Sequence, residues 1–314
     1  MMKELLNFLH TPNWDNQHRW RTFVWNGMAG LGLTGLHAFP VSRHWVEVHR
    51  REMHLTNLDP AFHGFRIVQL SDLHYSPMVW ATYLRQFVEW VNLLKPDLVV
   101  VTGDLVTGGY WWSRNIGAIL KNFTSTHGVL CTLGNHDYSM YGRRNNGEGR
   151  RRADYLEKYL LHHGLTVLRN QTLRINHKDS ATPLTIVGLD DEWSGAIDPV
   201  KAFKTVRADE PIICLNHNPA NAVELLEYPW QWMLSGHTHG RQLAQSRMGK
   251  RFYAHLQRAY THGYYEVAGR HLYVNRGLAY GQRKQRWCRP EISVFRLNAG
   301  TTACSKMAKD KISR

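Results

Sequence analysis

The run Leu98-Val99-Val100-Val101, followed at once by Gly103-Asp104, constrains this chain more than any other stretch. A continuous apolar run of this length is the pattern of a strand buried on both faces, which occurs in sheets covered by helices. The pattern recurs. Residues 65–70, 129–133, 184–189, 212–215 and 232–234 are further apolar runs. Between them lie helical spacings: Leu84, Phe87, Val88, Val91 and Leu94 within residues 81–94, ended by Pro96, then shorter helices over 115–123 and 153–162. Alternating aromatic and polar residues at 251–253, 264–267, 272–274 and 292–295 read as antiparallel strands completing a second sheet. The sum predicts an α/β fold, a four-layer αββα sandwich of two mixed β-sheets flanked by helices.

The apolar runs matter because polar, metal-ligating residues stand at their ends. Asp72 and His74, then Asp104, then Asn135-His136-Asp137, then His217, then His237 and His239 each come just after a predicted strand. In open α/β sheets, ligands gather at the carboxyl ends of strands, so these side chains converge on one crevice. Asp72/His74 and His237/His239 each alternate around one residue, which lets both members of a pair face one ion. Carboxylate, amide and imidazole ligands without thiolate suit Mn²⁺, Fe or Zn²⁺. Seven candidates (Asp72, His74, Asp104, Asn135, His217, His237, His239) exceed the needs of one ion. A carboxylate such as Asp104 can bridge two ions at roughly 3.5–4 Å. The reading is a binuclear hydrolytic site. His136, diverging from Asn135 in the same turn, is assigned to substrate as a charge stabiliser or proton donor, with Asp137 orienting it.

Bulk properties narrow the partners. The 314 residues carry a formal net charge of +14, which favours nucleic acid, a phosphorylated substrate or an anionic membrane surface. Cys131, Cys214, Cys288 and Cys304 show no paired spacing, so no disulfide scaffold or thiolate metal site is expected. Residues 22–40 are apolar and Gly-rich, preceded by Arg19 and Arg21. Two readings stand for them: a membrane anchor, spanning or interfacial, or a segment packed on the domain surface. The expected organisation is an N-terminal segment over 1–58, a catalytic domain over 59–298 and a basic tail over 299–314.

The blocks Asp72-Leu73-His74, Gly103-Asp104, Gly134-Asn135-His136-Asp137, His217 and Gly236-His237-Thr238-His239 resemble, in order, the signature of the calcineurin-like metallophosphoesterases. The likeness covers about residues 65–297. It implies the metallophosphoesterase fold and two divalent ions, foremost Mn²⁺, with a metal-bridging hydroxide attacking phosphorus. Asp72, His74, Asp104 and His239 would serve one ion, and Asp104, Asn135, His217 and His237 the other. Segments 71–76, 134–138, 216–219, 236–242 and 288–291 resemble a small bacterial branch of the family, with Arg241 a departure from its usual Gly. That branch includes general phosphodiesterases and a membrane-associated pyrophosphatase that cleaves UDP-2,3-diacylglucosamine in lipid A synthesis.

Aromatic residues, with Met78, in the blocks' loops suit acyl chains: Tyr75, Met78 and Trp80, then Tyr110, Trp111 and Trp112, then Tyr138 and Tyr141. Arg114, Arg143, Arg144, Arg150, Arg151, Arg152, Arg276, Arg283, Lys284 and Arg286 supply diphosphate contacts or a solvated basic surface. Tyr75, Trp80, Trp111, Trp112, Tyr138, Arg143, Arg283 and Arg286 are the expected substrate contacts. The favoured substrate is a lipid-linked nucleotide at the cytoplasmic face of a bacterial inner membrane, with no nucleic acid partner. A general phosphodiesterase is the alternative, ahead of a nuclease or a metal-free scaffold.

Overall fold

The structure, a computed structural model, describes residues 20–21, 46–140, 148–240, 260–279 and 289–299. Two sheets face one another. The first runs, in spatial order, β1 (Trp20–Arg21), β2 (Glu47–Leu55), β13 (Glu291–Ala299), β3 (Arg66–Leu70), β4 (Leu98–Thr102), β5 (Val129–Thr132) and β6 (Thr166–Val167). The second runs β11 (Gly263–Val267), β12 (Arg270–Val274), β10 (Trp232–Ser235), β9 (Ile212–Leu215), β8 (Leu184–Gly188) and β7 (Gln171–Ile175). β3 to β6 are parallel, as are β12, β10, β9 and β8. Their carboxyl ends therefore open on shared edges.

Period-two alternation makes the layers. In β4, Leu98 and Val100 join the core between the sheets, while Val99 and Val101 face a second core under helices α1 (Ala81–Leu93), α2 (Tyr110–Leu120) and α3 (Gly149–His162). β8 does the same: Leu184 and Ile186 point inward, and Val187 faces a third core under α4 (Pro199–Phe203) and two 3-10 turns. Cys131 and Cys214 are buried free thiols within β5 and β9. This is the expected αββα sandwich.

Several elements depart from the sequence reading. α2 starts at Tyr110 rather than 115, so Tyr110, Trp111 and Trp112 form its first turn instead of a loop. Its N-cap is Gly109 at φ 88° with no side-chain cap, which removes the usual start signal. β13 enters the first sheet, between β2 and β3, rather than the second. β2 pairs with β13 over nine residues, so the folded domain begins before residue 59. Among the described residues, no helix is long and apolar enough to cross a membrane. Residues 22–40, Tyr141, Arg143, Arg144, Arg241, the strand at 251–253, Arg283, Lys284, Arg286, Cys288 and residues 300–314 lie outside the described residues.

Buried polar ties fix how the sheets sit. Gln69 Nε2 donates to Ser235 O across the sandwich (2.9 Å) and to Thr102 Oγ1 (3.0 Å). Arg276, expected at a diphosphate or on a solvated basic surface, is instead buried just past β12, donating to Glu291 Oε2 and Glu47 Oε2, both at 2.7 Å. Burial would raise the Glu291 carboxyl, but the charges of His49 and Arg276 hold it down at about 2. The cluster locks β12, β2 and β13 together directly below a turn that cradles Asp72, where Leu278 N donates to Ser71 O and Ala279 N to Asp72 O.

Candidate metal centre

Every expected ligand follows the carboxyl end of a parallel strand: Asp72 and His74 after β3, Asp104 after β4, Asn135 after β5, His217 after β9, His237 and His239 after β10. The first sheet thus supplies the oxygens and one imidazole, and the second sheet three imidazoles. Five of the seven lie in the left-handed region: Asp72 (φ 50°), His74 (48°), Asp104 (54°), His237 (70°) and His239 (50°). Such backbone is strained for residues with a Cβ, and it clusters where surrounding structure over-determines it. Here Asp72 N donates to Gly103 O, His74 N to Asp104 O, and Gly236 N to His217 O, stitching the loops to one another.

The donor atoms converge. One atom each from Asp72, His74, Asp104 and His239 lies within 4.8 Å of the others, and so do Asp104, His217 and His237. His74 Nε2 and His239 Nε2 are 3.1 Å apart, and His239 Nε2 is 3.3 Å from Asp72 Oδ1. Asp104 belongs to both groups: its Oδ2 is 3.2 Å from His217 Nε2 and 3.5 Å from His74 Nε2. Asn135 Oδ1 lies 3.0 Å from His237 Nδ1, while its amide nitrogen donates to Met140 O, which fixes the direction of the oxygen.

The remaining atoms of these side chains are spoken for. Ser71 Oγ donates to Asp72 Oδ2, and His237 N is shared between Oδ2 (3.0 Å) and Oδ1 (3.2 Å), with Oδ1 the oxygen nearest His239 Nε2. His136 N donates to Asp104 Oδ1, leaving Oδ2. The carbonyl of Thr102 accepts from His217 Nδ1 (2.8 Å), which turns Nε2 toward Asp104. Close approach demands glycine at several positions, Gly236 and Gly134 among them. A Cβ at Gly236 would lie 1.8 Å from Ser71 Oγ and 2.3 Å from Asp72 Oδ2, and one at Gly134 would lie 2.4 Å from Asp104 Oδ1.

Electrostatics describes a cluster built for positive charge. Burial pushes Asp72 up to about 7, and the neighbouring Asp104 charge adds to that. Burial would raise Asp104 too, but His217, His136 and His74 hold it well below its ordinary value. Against its own burial, His217 is raised to about 10 by Asp104 and Asp72. Two buried carboxylates, an amide oxygen and four imidazoles with no thiolate form an oxygen/nitrogen donor set that fits a divalent metal.

The other expected residues divide. His136 sits edge-on to His74, ring centroids 4.6 Å apart, at the rim of the first group. Asp137 ties backbone: its Oδ1 accepts from Val106 N and its Oδ2 from Gly134 N, stapling the two loops. Burial and the Asp104 charge push Asp137 up to about 8. Tyr138 is no exposed wall; it is 2 % exposed, with its hydroxyl donating to Asp190 Oδ1 and accepting from Arg169. Tyr75 is buried and packs on Trp112 and Trp111 (4.9 and 6.2 Å), whereas Trp80 and Trp111 are exposed. Sequence reasoning missed the loop after β8. There Trp193, half-buried, meets His237 edge-on at 4.7 Å, and Glu192 accepts from Asn218. An apolar strand followed by Asp190-Asp191-Glu192 was the available signal.

Comparison with known proteins agrees with this geometry. The calcineurin-like phosphoesterase model matches residues 65–241, and the chain belongs to that family. It is 31 % identical over 259 residues to the uncharacterized metallophosphoesterase YkuE of Bacillus subtilis, covering 82 % of this chain and 87 % of that one. UDP-2,3-diacylglucosamine pyrophosphatase LpxG of Chlamydia muridarum is 30 % identical over 328 residues (87 % and 98 %). Phosphodiesterase YaeI of Escherichia coli is 32 % identical over 265 residues (81 % and 88 %). The protein is a metal-dependent hydrolase of the metallophosphoesterase family.

Proposed function

We propose that the protein hydrolyses the pyrophosphate bond of UDP-2,3-diacylglucosamine, giving 2,3-diacylglucosamine 1-phosphate and UMP, at the cytoplasmic face of a bacterial inner membrane. The observation that carries phosphorus chemistry is the shared Asp104 Oδ2, between His74 Nε2 and His217 Nε2. Asp72, His74, Asp104 and His239 would hold one divalent ion and Asp104, Asn135, His217 and His237 a second; the oxygen and imidazole set suits Mn²⁺, Fe or Zn²⁺, and the family resemblance puts Mn²⁺ foremost. Bound there, the pair supplies Lewis acidity and an activated water at neutral pH.

The chain's own residues do the rest. Water that becomes the nucleophile releases one proton, which passes to solvent, because Asp104, held well below its ordinary value, is a poor base. His136, fixed over His74, stabilises charge on the phosphoryl oxygens and gives a proton to the leaving phosphate oxygen. One P–O bond forms from water and one P–O–P link breaks. Trp193, beside His237, would stack on the uracil, and the apolar side chains of the turn after β3 and of the first turn of α2 would meet the acyl chains.

The lipid-linked substrate draws support from the LpxG relative, which matches over almost its whole length. YaeI favours a second reading, a phosphodiesterase with another physiological substrate. Assay of the purified, Mn²⁺-loaded chain separates them. UMP release from UDP-2,3-diacylglucosamine is expected; an intact lipid alongside rapid cleavage of an aryl phosphodiester overturns the lipid assignment.

A further inference from the structure

Among the described residues, the exposed large hydrophobics are Met78, Trp80, Tyr110, Trp111, Leu161, Val200 and Val223. The last three are scattered over α3, α4 and the turn before Glu224–Glu227. The first four come from two adjacent places, the turn between β3 and α1 and the first turn of α2 after β4. Those are the two strands that deliver Asp72, His74 and Asp104. The exposures are 62 % for Met78, 66 % for Trp80, 41 % for Tyr110 and 59 % for Trp111.

The two indoles are mounted rather than loose. Trp111 packs on Trp112 at 4.4 Å and on buried Tyr75, and Trp80 Nε1 donates to Pro77 O three residues back. An indole whose one polar atom is satisfied locally, held outward on a buried aromatic base, is suited to an apolar medium bordered by polar groups.

The neighbouring charge is basic. Exposed Arg150 and Arg151 open α3, which meets α2 through Tyr110 and Tyr155 (4.8 Å) and through Arg152 over the Tyr110 ring (5.0 Å). Exposed Arg85 on α1 and Arg114 on α2 extend the positive field. The nearby acids Glu148 and Asp154 are engaged by Arg152 and Arg169. Beyond its N-cap Glu148, the first turn of α3 carries no acidic residue, so Arg150 and Arg151 stand at the positive end of the helix dipole. A second protein could cover the apolar residues, but fixed indoles ringed by arginines match the headgroup zone of an anionic bilayer.

We propose that Met78, Trp80, Tyr110 and Trp111, ringed by Arg85, Arg114, Arg150 and Arg151, dock the catalytic domain on an anionic lipid bilayer with the metal centre facing the headgroups. The proposal deepens the lipid-substrate reading and rests on it only for its purpose. Docking puts the mouth of the metal centre where a diphosphate headgroup emerges, so the acyl chains need not leave the bilayer.

Hydrogen exchange of the full chain with phosphatidylglycerol/phosphatidylcholine vesicles tests it without interference from other membrane-binding segments. Amides of residues 76–83 and 109–115 are expected to be slowed by the anionic vesicles and not by phosphatidylcholine alone. Trp80→Ser/Trp111→Ser is expected to abolish that local slowing and weaken vesicle binding by about tenfold. Arg150→Glu/Arg151→Glu is expected to lose the preference for anionic lipid while cleaving a soluble aryl phosphodiester at the wild-type rate. No slowing at either segment, as with a protein partner instead of lipid, overturns the proposal, and so does equal slowing by neutral vesicles. UMP release from detergent-dispersed substrate reports the proposed function separately: cleavage without vesicle protection sinks the docking face alone, and protection without cleavage sinks the substrate alone.

Discussion

Gln69 Nε2 donates to Ser235 O, a hydrogen bond from the end of β3 to the end of β10 across the sandwich. It joins the strand that delivers Asp72 and His74 to the strand that delivers His237 and His239. The metal cluster is composed by both sheets, so its geometry depends on their relative placement. Gln69→Leu fills the space without the tie. Divalent-metal affinity is expected to fall by about 10- to 100-fold, as for other residues that support ligands from behind, with a wild-type circular dichroism spectrum. Unchanged affinity in a metal titration would show that packing alone sets the sheets.

Gly236→Ala is expected to be far more damaging than its size suggests. The new methyl must displace Ser71 and Asp72 Oδ2, with contacts of 1.8 and 2.3 Å in the present structure. Activity is expected to drop by about 100-fold or more, with a stability loss of about 1–3 kcal/mol from overpacking. Bound metal per chain, measured on the purified variant, should fall with activity.

Metal loading should be pH-dependent. His217 is raised from 6.5 to about 10 in the metal-free cluster, so it carries a proton below that value and must lose it to become a ligand. Apparent affinity is therefore expected to rise with pH from about 7 towards about 10 and then level off. Calorimetric titrations in buffers of different ionisation enthalpy should show proton release on binding at neutral pH; binding with no proton release contradicts the cluster electrostatics.

The Arg276 cluster predicts an acid transition outside the metal site. Glu291 is depressed from 4.5 to about 2, so its contribution to stability is present above pH 4.5 and lost as pH falls towards 2. Arg276→Met leaves Glu47 and Glu291 buried without their cation. A loss of about 3–5 kcal/mol is expected near neutral pH, shrinking in acid as the carboxylates protonate. Denaturant melts across that range check it, and a pH-independent difference between variant and wild type would count against it.

Trp193→Ala should separate base recognition from chemistry. KM for a uridine-containing diphosphate is expected to rise by about tenfold, the worth of one stacked base. Cleavage of an aryl phosphodiester, which lacks the base, should change much less. Equal loss on both substrates would assign Trp193 to holding His237.

The clustered Asp, Asn and His residues were legible because each sits a few residues after a short apolar run, a local pattern that needs no knowledge of pairing. The same locality hid the rest. β2 reads as Glu-Val-His-Arg-Arg-Glu-Met-His-Leu, too polar to declare a strand, because part of its polarity serves distant partners: Glu47 meets Arg276 and Arg51 lies over the Tyr264 ring. β13 looked like its antiparallel neighbours in sequence, but its place between β2 and β3 is a long-range choice. Tyr138 reads as a site aromatic until Asp190 and Arg169, 52 and 31 residues away, capture its hydroxyl. Asp137 likewise serves backbone amides that sequence cannot point to.

The most direct measurement is metal stoichiometry against turnover in wild type and Asp104→Ala. Chelated wild-type protein is expected to be inactive and to regain phosphodiester cleavage in step with bound Mn²⁺, saturating at about two ions per chain. Asp104→Ala, lacking the oxygen that both ligand groups share, is expected to bind less metal and to show no turnover while remaining folded. Full activity in the chelated protein, or wild-type turnover in Asp104→Ala, would contradict a metal hydrolase centred on Asp104.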